Sequence, residues 1–349
     1  MGTSIIHSLE GITLNGGWKV IKKIEKNDND TGGHFSVCYL VENDKNDKAF
    51  MKVLNFDEAQ EAPDPALQLF LLTQAFNFEK LVLQKCKDAN LDKVVVAIGE
   101  DVIRPNPSDP SDVAQYILFE LADGNIRKKI DYSNSVDLAY NLRALHHVSV
   151  GIQQIHGQGI AHQDIKPSNI LTFNDNTNKL ADFGRSSYLN HIAPHEDCTF
   201  AGDRNYAPIE QLYGYQSAEW KVRRLGTDLY HLGSLIHYVF TGLMLTPLIF
   251  DKLPPELHYT RQYGNYSFVL PFIKKAMTEI VSDFSDHLIP QLKKDLPQMV
   301  LELSNPEPEK RGVRRGVGSP DQFTLDHYIS RFDHYARFAE ANIISLLRS

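Results

Sequence analysis

The stretch His162-Gln163-Asp164-Ile165-Lys166-Pro167-Ser168-Asn169 sets a carboxylate, an ammonium and a carboxamide at fixed offsets on one short loop. Thirteen residues after Asn169 comes Asp182-Phe183-Gly184. A proton acceptor, a cation to face an anion, and two oxygen ligands suited to magnesium are, in that order, what moving a phosphoryl group from ATP to a hydroxyl requires. Either motif alone arises by chance. The two at this spacing, after a helix striped with Leu and Ile, rarely do.

These residues have to be positioned by regular elements. Trp18 to Ile24, Phe35 to Val41 and Lys48 to Leu54 read as strands, the third following the turn-forming run Asn43-Asp44-Lys45-Asn46-Asp47. Ala66 to Cys86 is long and apolar enough for a helix, and Val94 to Val96 and Tyr116 to Leu121 read as two further strands. Beyond Leu121 the pattern becomes helical. Leu138, Leu142, Leu145, Val148, Ile152 and Ile155 recur every three or four residues and form one stripe. Thr227 to Thr241 is apolar on most sides and is expected at the centre of its lobe. Later helices are expected at Val269 to Val281, Leu292 to Leu303 and Leu325 to Leu347.

From about Trp18 to Arg311 the chain resembles the eukaryotic-type protein kinases, and the layout is most similar to stand-alone bacterial serine/threonine kinases. The resemblance rests on HxDxKxxN, on DFG, and on Gly202-Asp203-Arg204-Asn205-Tyr206-Ala207-Pro208-Ile209-Glu210, which is similar to the close of a kinase activation segment. It implies an α+β, bilobal protein-kinase-like fold. A small five-stranded antiparallel N-lobe with one helix is followed by a larger, mostly helical C-lobe, with a nucleotide in the cleft between them. The domains expected are an N-terminal segment at 1–14, the nucleotide-binding lobe at 15–121, the catalytic lobe at 122–312 and a helical extension at 313–349.

The same resemblance implies roles. Asp164 accepts or orients the proton of the substrate hydroxyl, and Lys166 offsets charge on the transferring phosphate. Asn169 and Asp182 hold Mg2+. Lys52, in Phe50-Met51-Lys52-Val53, contacts the α- and β-phosphates of ATP. Its expected partner is Glu79, mid-helix with Leu83 one turn later, rather than Glu58 or Glu61 beside Pro63 and Pro65. The phosphate-covering loop, Thr31 to Cys38, matches the family's glycine pattern only at Gly33 and Phe35. Gly33, lacking a Cβ, still allows close backbone approach to phosphate. Cys38 stands where a valine roofs the adenine, Phe119 at the back of that pocket, and backbone groups of Glu120 and Ala122 read the adenine edge. His162 braces the loop, Glu210 pairs with Arg311, and Asp228 anchors the loop backbone.

The chain departs from the family at several positions. Gln163 replaces the arginine that in most regulated kinases pairs with a phosphorylated activation segment. Glutamine has no charge to offer, so activity independent of phosphate on Ser186, Ser187, Tyr188 or Thr199 is expected. Asp203 replaces a threonine. Phe50 replaces the small residue that packs on adenine, which raises a second reading: a pseudokinase or scaffold with impaired ATP binding. A kinase of a small-molecule acceptor is the third, against which stand Lys166 and the DFG-to-APE segment. The acceptor expected is a protein serine or threonine. His191, His195 and Cys198 have a conceivable metal spacing, without an evident fourth ligand.

Bulk properties fit these readings. The chain has 349 residues, ample for two lobes, and a net charge of −8, which argues against a nucleic-acid footprint. Its longest apolar stretch, Leu232 to Phe250, contains His237, Thr241 and Pro247 and reads as a buried helix plus loop rather than a membrane span. Three scattered cysteines and an N-terminus without a charged-then-apolar signal make the cytoplasm the expected compartment. Phe323 to Leu347 carries an aromatic face of Leu325, Tyr328, Ile329, Phe332, Tyr335, Phe338 and Ala339. The plainer reading is a cap on the large lobe; the sharper one is a docking surface for a partner.

Overall fold

The computed structural model describes residues 5–25, 36–104, 113–130 and 138–348. The chain divides into two compact units, 1–90 with 94–123, and 91–93 with 124–349.

The first unit is built on five antiparallel strands, β1 (Lys19–Lys23), β2 (Ser36–Glu42), β3 (Lys48–Leu54), β4 (Ala97–Ile103) and β5 (Ala114–Glu120), in the order β1-β2-β3-β5-β4. Strict alternation sorts their side chains. Val37, Tyr39, Val41, Ala49, Met51, Val53, Tyr116 and Leu118 form a buried face, covered by Ile6, Leu9 and Leu14 from the start of the chain. The Tyr39 hydroxyl donates to the Ile6 carbonyl at 2.6 Å, which ties that segment down. The opposite face carries Cys38, Leu40, Phe50 and Lys52, all half-buried.

A one-turn helix α1 (Asp57–Gln60) precedes the long helix α2 (Pro65–Asp88). Asp64 caps α2 by accepting the Leu67 N–H at 3.0 Å, and Pro65 occupies the first turn, where a missing N–H costs nothing. Leu72, Phe76, Glu79, Leu83 and Cys86 are buried at spacings of four and three, one face of the helix.

The strand expected at Val94 to Val96 lies slightly further on, at β4. Val94 and Val95 are buried, and Val96 exchanges hydrogen bonds with Glu120 instead of joining a ladder. β4 is the sheet's edge and is largely exposed, so it lacks the apolar signature that made the valine triplet conspicuous.

The second unit contains β6 (Gly124–Asn125), α3 (Ile126–Lys129), α4 (Leu138–Gly157), β7 (Ile160–Ala161), β8 (Ile170–Thr172), β9 (Asn178–Leu180) and β10 (Ser187–Tyr188). These are followed by α5 (Ile209–Leu212), α6 (Trp220–Thr241), α7 (Leu245–Lys252), α8 (Tyr259–Gln262), α9 (Tyr266–Asp286), α10 (Asp295–Leu303) and α11 (Asp326–Arg348). Strands β6, β8 and β9 form one small antiparallel sheet, and β7 pairs with β10. Leu292 is buried but precedes α10, which starts three residues later than expected. Helix α6 is buried around nearly its whole circumference and ends at Gly242, whose φ of +78° suits a residue without a Cβ. Among the described residues, no single helix is long and apolar enough to cross a membrane.

Helix α11 packs along α4. Leu325, Tyr328, Phe332, Tyr335, Ala336 and Ala339 are buried, whereas Ile329 is half-buried and Phe338 points outward. Arg143 of α4 binds Glu340 through two nitrogens at 3.0 and 2.9 Å and Asp333 through a third at 2.8 Å. Most of the aromatic face is therefore used inside the unit.

Burial holds three imidazoles of this unit neutral, lowering His231 to about 3 and His147 and His195 to about 4. The unfolded chain takes up protons near 6.5 that the folded chain refuses until far lower pH. The stability these groups confer is complete above their ordinary pKa and is lost as pH falls toward about 4. Urea unfolding followed by circular dichroism should show a free energy that declines steadily from about pH 6.5 to about pH 4.5, and a flat profile would contradict this.

Candidate active site

In the first unit, Lys52 on β3 and Glu79 on α2 form a two-pronged contact, with Nζ 2.8 and 2.9 Å from the two carboxylate oxygens. Glu79 is buried, so the ion pair is shielded from water and from salt. Phe50 lies two residues from Lys52 on the same face, opposite Leu40 and Phe119 in register, and its ring centroid is 6.4 Å from that of Phe119. Cys38 pairs with Lys52 across β2 and β3. Glu120 ends β5 with its carboxylate accepting the Val96 N–H at 2.8 Å, and the chain leaves the sheet through Leu121 and Ala122. Gly33 lies outside the described residues.

In the second unit, Asp228 of α6 organises the loop 162–169. Its carboxylate is fully buried and accepts the backbone N–H groups of His162 at 2.8 Å and Gln163 at 2.7 Å, and it contacts His156 Nε2 at 2.9 Å. Burial works against its ionisation, but the His156 contact, the neighbouring imidazoles and the backbone donors outweigh that and hold its pKa below the usual carboxylate value. Gln163 adopts φ +63°, a left-handed conformation that turns the chain so that both N–H groups reach one carboxylate. His162 is buried against Phe183, their ring centroids 4.7 Å apart. Its Nε2 lies 3.0 Å from the Ala181 carbonyl, and its Nδ1 takes the Asp164 N–H at 3.3 Å.

Asp164, Lys166 and Asn169 converge. Lys166 Nζ lies 3.0 Å from Asp164 Oδ2, and both side chains are buried. Asn169 donates from Nδ2 to the Asp164 carbonyl at 2.9 Å and to its Oδ2 at 3.0 Å. That orientation spends the amide's donors on Asp164 and turns its oxygen away from it. The hairpin β8–β9 then brings Asn169 beside the DFG segment, and Ala181 N–H bonds the Asn169 carbonyl at 2.9 Å. Asp182 follows, at φ +64° and exposed, while Phe183 is fully buried. Burial raises the pKa of Asp164; Lys166 opposes the shift, and the nearby Asp182 charge adds to it.

The segment after Asp182 closes onto this loop. Gly202 approaches so closely that a Cβ would sit 2.6 Å from Asp164 Oδ1 and 2.7 Å from the Gln163 carbonyl. The next residue, Asp203, donates its N–H to Asp164 Oδ1 at 3.1 Å and sets its carboxylate 4.0 Å from Lys166 Nζ. Ser186 and Ser187 are buried. Among the described residues, no three His, Cys, Asp or Glu side chains are grouped to hold a metal. His191 instead stacks on Tyr188 with ring centroids 4.1 Å apart, and His195 is buried while Cys198 is exposed.

Glu210 and Arg311 meet as the sequence suggests, with Arg311 Nη2 2.5 Å from the Glu210 carboxylate and both groups buried. Arg311 also donates to the Gly226 carbonyl at 3.1 Å and the Asn305 carbonyl at 2.9 Å. Sequence reading missed His156, Arg224 and Glu196. Gln163 Oε1 accepts from Arg224 Nη1 at 2.7 Å, and Arg224 pairs with Glu196 at 2.8 Å. The sole hint was that His156 directly follows the α4 stripe; Arg224 precedes the helix expected from Thr227 and enters it only because α6 starts at Trp220.

The family model of the protein kinase domain matches residues 31–312, and the chain belongs to that family. It is similar to the probable serine/threonine-protein kinase PknB of Lactococcus lactis, 26% identical over 180 residues, covering 47% of this chain and 28% of that protein. It is also similar to mitogen-activated protein kinase 5 of Arabidopsis thaliana, 26% identical over 155 residues, covering 44% of this chain and 37% of the other. With cyclin-dependent kinase-like 2 of Pongo abelii it shares 27% identity over 237 residues, 62% of this chain and 45% of the other. The matched stretch thus spans less than half the length of each of these relatives. The family implies ATP and a divalent metal, and the sheet unit followed by the helical unit is its fold.

Truncating Arg311 strands a buried carboxylate. Arg311→Ala should cost about 3–5 kcal/mol in denaturant unfolding, while the pair Arg311→Met with Glu210→Leu should cost clearly less. Equal losses for the single and double variants would show that the ion pair is not the source.

Proposed function

We propose that this chain is a magnesium- and ATP-dependent protein kinase acting on serine or threonine hydroxyls. The observation that carries the reading is the buried contact of Asp164 with Lys166 and Asn169, on a loop fixed by Asp228. Asp164 takes or orients the proton of the attacking hydroxyl, and its raised pKa makes the carboxylate a stronger acceptor. Lys166, already beside it, faces the negative charge of the phosphoryl group in transit. Lys52, steadied by Glu79, contacts the α- and β-phosphates of the nucleotide. The adenine edge is read by the backbone of Glu120 and Ala122, with Phe119 and Cys38 lining its pocket.

The Asn169 side-chain oxygen and the exposed Asp182 carboxylate form a sparse, hard-oxygen donor set, which suits Mg2+ because that ion keeps waters and phosphate oxygens among its ligands. When bound, magnesium neutralises phosphate charge. Lys166 favours serine or threonine over tyrosine as acceptor. The buried Ser186 and Ser187 and the uncharged Gln163 support activity that does not wait for phosphorylation of the segment. None of the three cysteines is in a disulfide, which fits the cytoplasm.

Labelled-ATP phosphorylation, autophosphorylation included, should fall about 10²–10⁴-fold in Asp164→Asn with the fold intact by circular dichroism. Unchanged turnover would sink the assignment of Asp164.

One observation favours a second reading, a pseudokinase: the bulky Phe50 on the same face as Lys52. A thermal-shift titration separates the two. For a nucleotide binder, Mg-ATP at about 100 times its Kd should add about 2.7 kcal/mol of stability. No shift in the wild type, with a shift gained in Phe50→Ala, would favour the pseudokinase.

A further inference from the structure

Gln163 stands where regulated kinases carry the arginine that receives an activation-segment phosphate. Here its carboxamide is used at both ends. Nε2 donates to Ser187 Oγ at 2.7 Å and to the Arg185 carbonyl at 3.1 Å, which ties the catalytic loop to the start of the segment. Oε1 accepts from Arg224 Nη1 at 2.7 Å. The arginine missing from the loop is therefore replaced by one from α6.

Arg224 is only 2% exposed, and a guanidinium so buried requires an anion. Its Nη2 is 2.8 Å from Glu196 Oε1 and 3.0 Å from the Glu196 carbonyl. Arg223 Nη2 reaches the same Oε1 at 2.9 Å. Two adjacent cations on α6 thus grip one carboxylate of the activation segment. The next residue back, His195, is neutral at physiological pH: burial lowers its pKa to about 4, with the Arg185 and Arg224 charges adding to the shift. Glu196 is the carboxylate that contacts both cations directly.

We propose that Glu196 is a positioning residue, a permanent carboxylate that Arg223 and Arg224 hold so that the activation segment stays docked on Gln163 and the loop carrying Asp164 stays in its working geometry. A charge written into the chain does here what an added phosphate does in kinases with an arginine at that position. The proposal rests on the kinase reading above and adds a constitutive on-state to it. Glu196 is one-quarter exposed, and Arg224 keeps the Glu196 carbonyl and Gln163 Oε1 as acceptors in Glu196→Gln, whose retained fold is checked by circular dichroism.

The test uses the full chain and labelled ATP. Glu196→Gln should lower kcat about tenfold to hundredfold, the cost of a loosened catalytic loop, while KM for ATP stays within about twofold. Glu196→Asp, which keeps the charge on a shorter stem, should recover part of the loss. Treatment of the wild type with a broad-specificity phosphatase should leave its turnover unchanged. A Glu196→Gln variant as fast as the wild type, or a wild type silenced by phosphatase, would overturn the proposal. Hydrogen exchange gives a readout independent of catalysis: amides of 185–188 and of Gln163 should exchange faster in Glu196→Gln than in the wild type, and equal rates would overturn the clamp. If the wild type turns over no ATP at all, the kinase reading fails, and the exchange comparison alone decides whether Glu196 holds the segment.

Discussion

Asp228 carries a carboxylate with no exposure to solvent in the middle of the most deeply buried helix of the second unit. An ion in that setting is tolerable only if its oxygens are saturated with donors. It takes two of them from the consecutive backbone amides of His162 and Gln163 and a further contact from His156. The consequence runs outward. A loop that would otherwise sample many conformations is fixed at its first residues, and the left-handed Gln163 that this demands sets the direction in which Asp164 leaves. Lys166 and Asn169 then close on Asp164 by contacts within the same short loop, and the β8–β9 hairpin carries the chain back so that Asp182 emerges next to them.

The same helix anchors two other buried charges. Its Gly226 carbonyl accepts from Arg311, whose guanidinium holds Glu210, and its Arg224 reaches Gln163 and Glu196. Thr227 accepts from Gln211 at 2.6 Å. Each of these joins α6 to a stretch without much regular structure of its own. Buried ion pairs add little net stability over apolar packing, because desolvation offsets most of the attraction. Their value here is geometric. An apolar contact tolerates sliding, whereas a buried carboxylate facing a guanidinium tolerates one arrangement, and the segment between Asp182 and Glu210 has few apolar anchors with which to define itself.

Much of this was legible in the linear sequence, and the parts that were not share a cause. The strands β1, β2, β3 and β5, the helices α2, α4, α6 and α9, and the buried face of α11 follow from local periodicity, since each buries one face or, for α6, all of them. β4 escaped because an exposed edge strand has no apolar pattern, and the Val94–Val96 triplet attracted the assignment for the opposite reason. The Lys52–Glu79 pair could be chosen because Glu79 falls on the buried face of a helix while its rivals sit beside prolines. Arg224 and Glu196 gave no such sign. In sequence they are an ordinary basic residue and an ordinary acidic one, and only long-range folding brings them together under Gln163.

The order of residues by itself determined which chemical groups this protein can offer and which of them lie within one loop's reach of each other: Asp164, Lys166 and Asn169 sit within six residues, so any compact turn gathers them. Tertiary structure alone decided how each group is held. Burial raised the Asp164 pKa, the α6 carboxylate bent the loop, the close approach at Gly202 packed the segment on top of it, and an arginine from a distant helix filled the position beside Gln163. Charge, solvation and packing act through space, and residues far apart along the chain became neighbours only when the core closed around them.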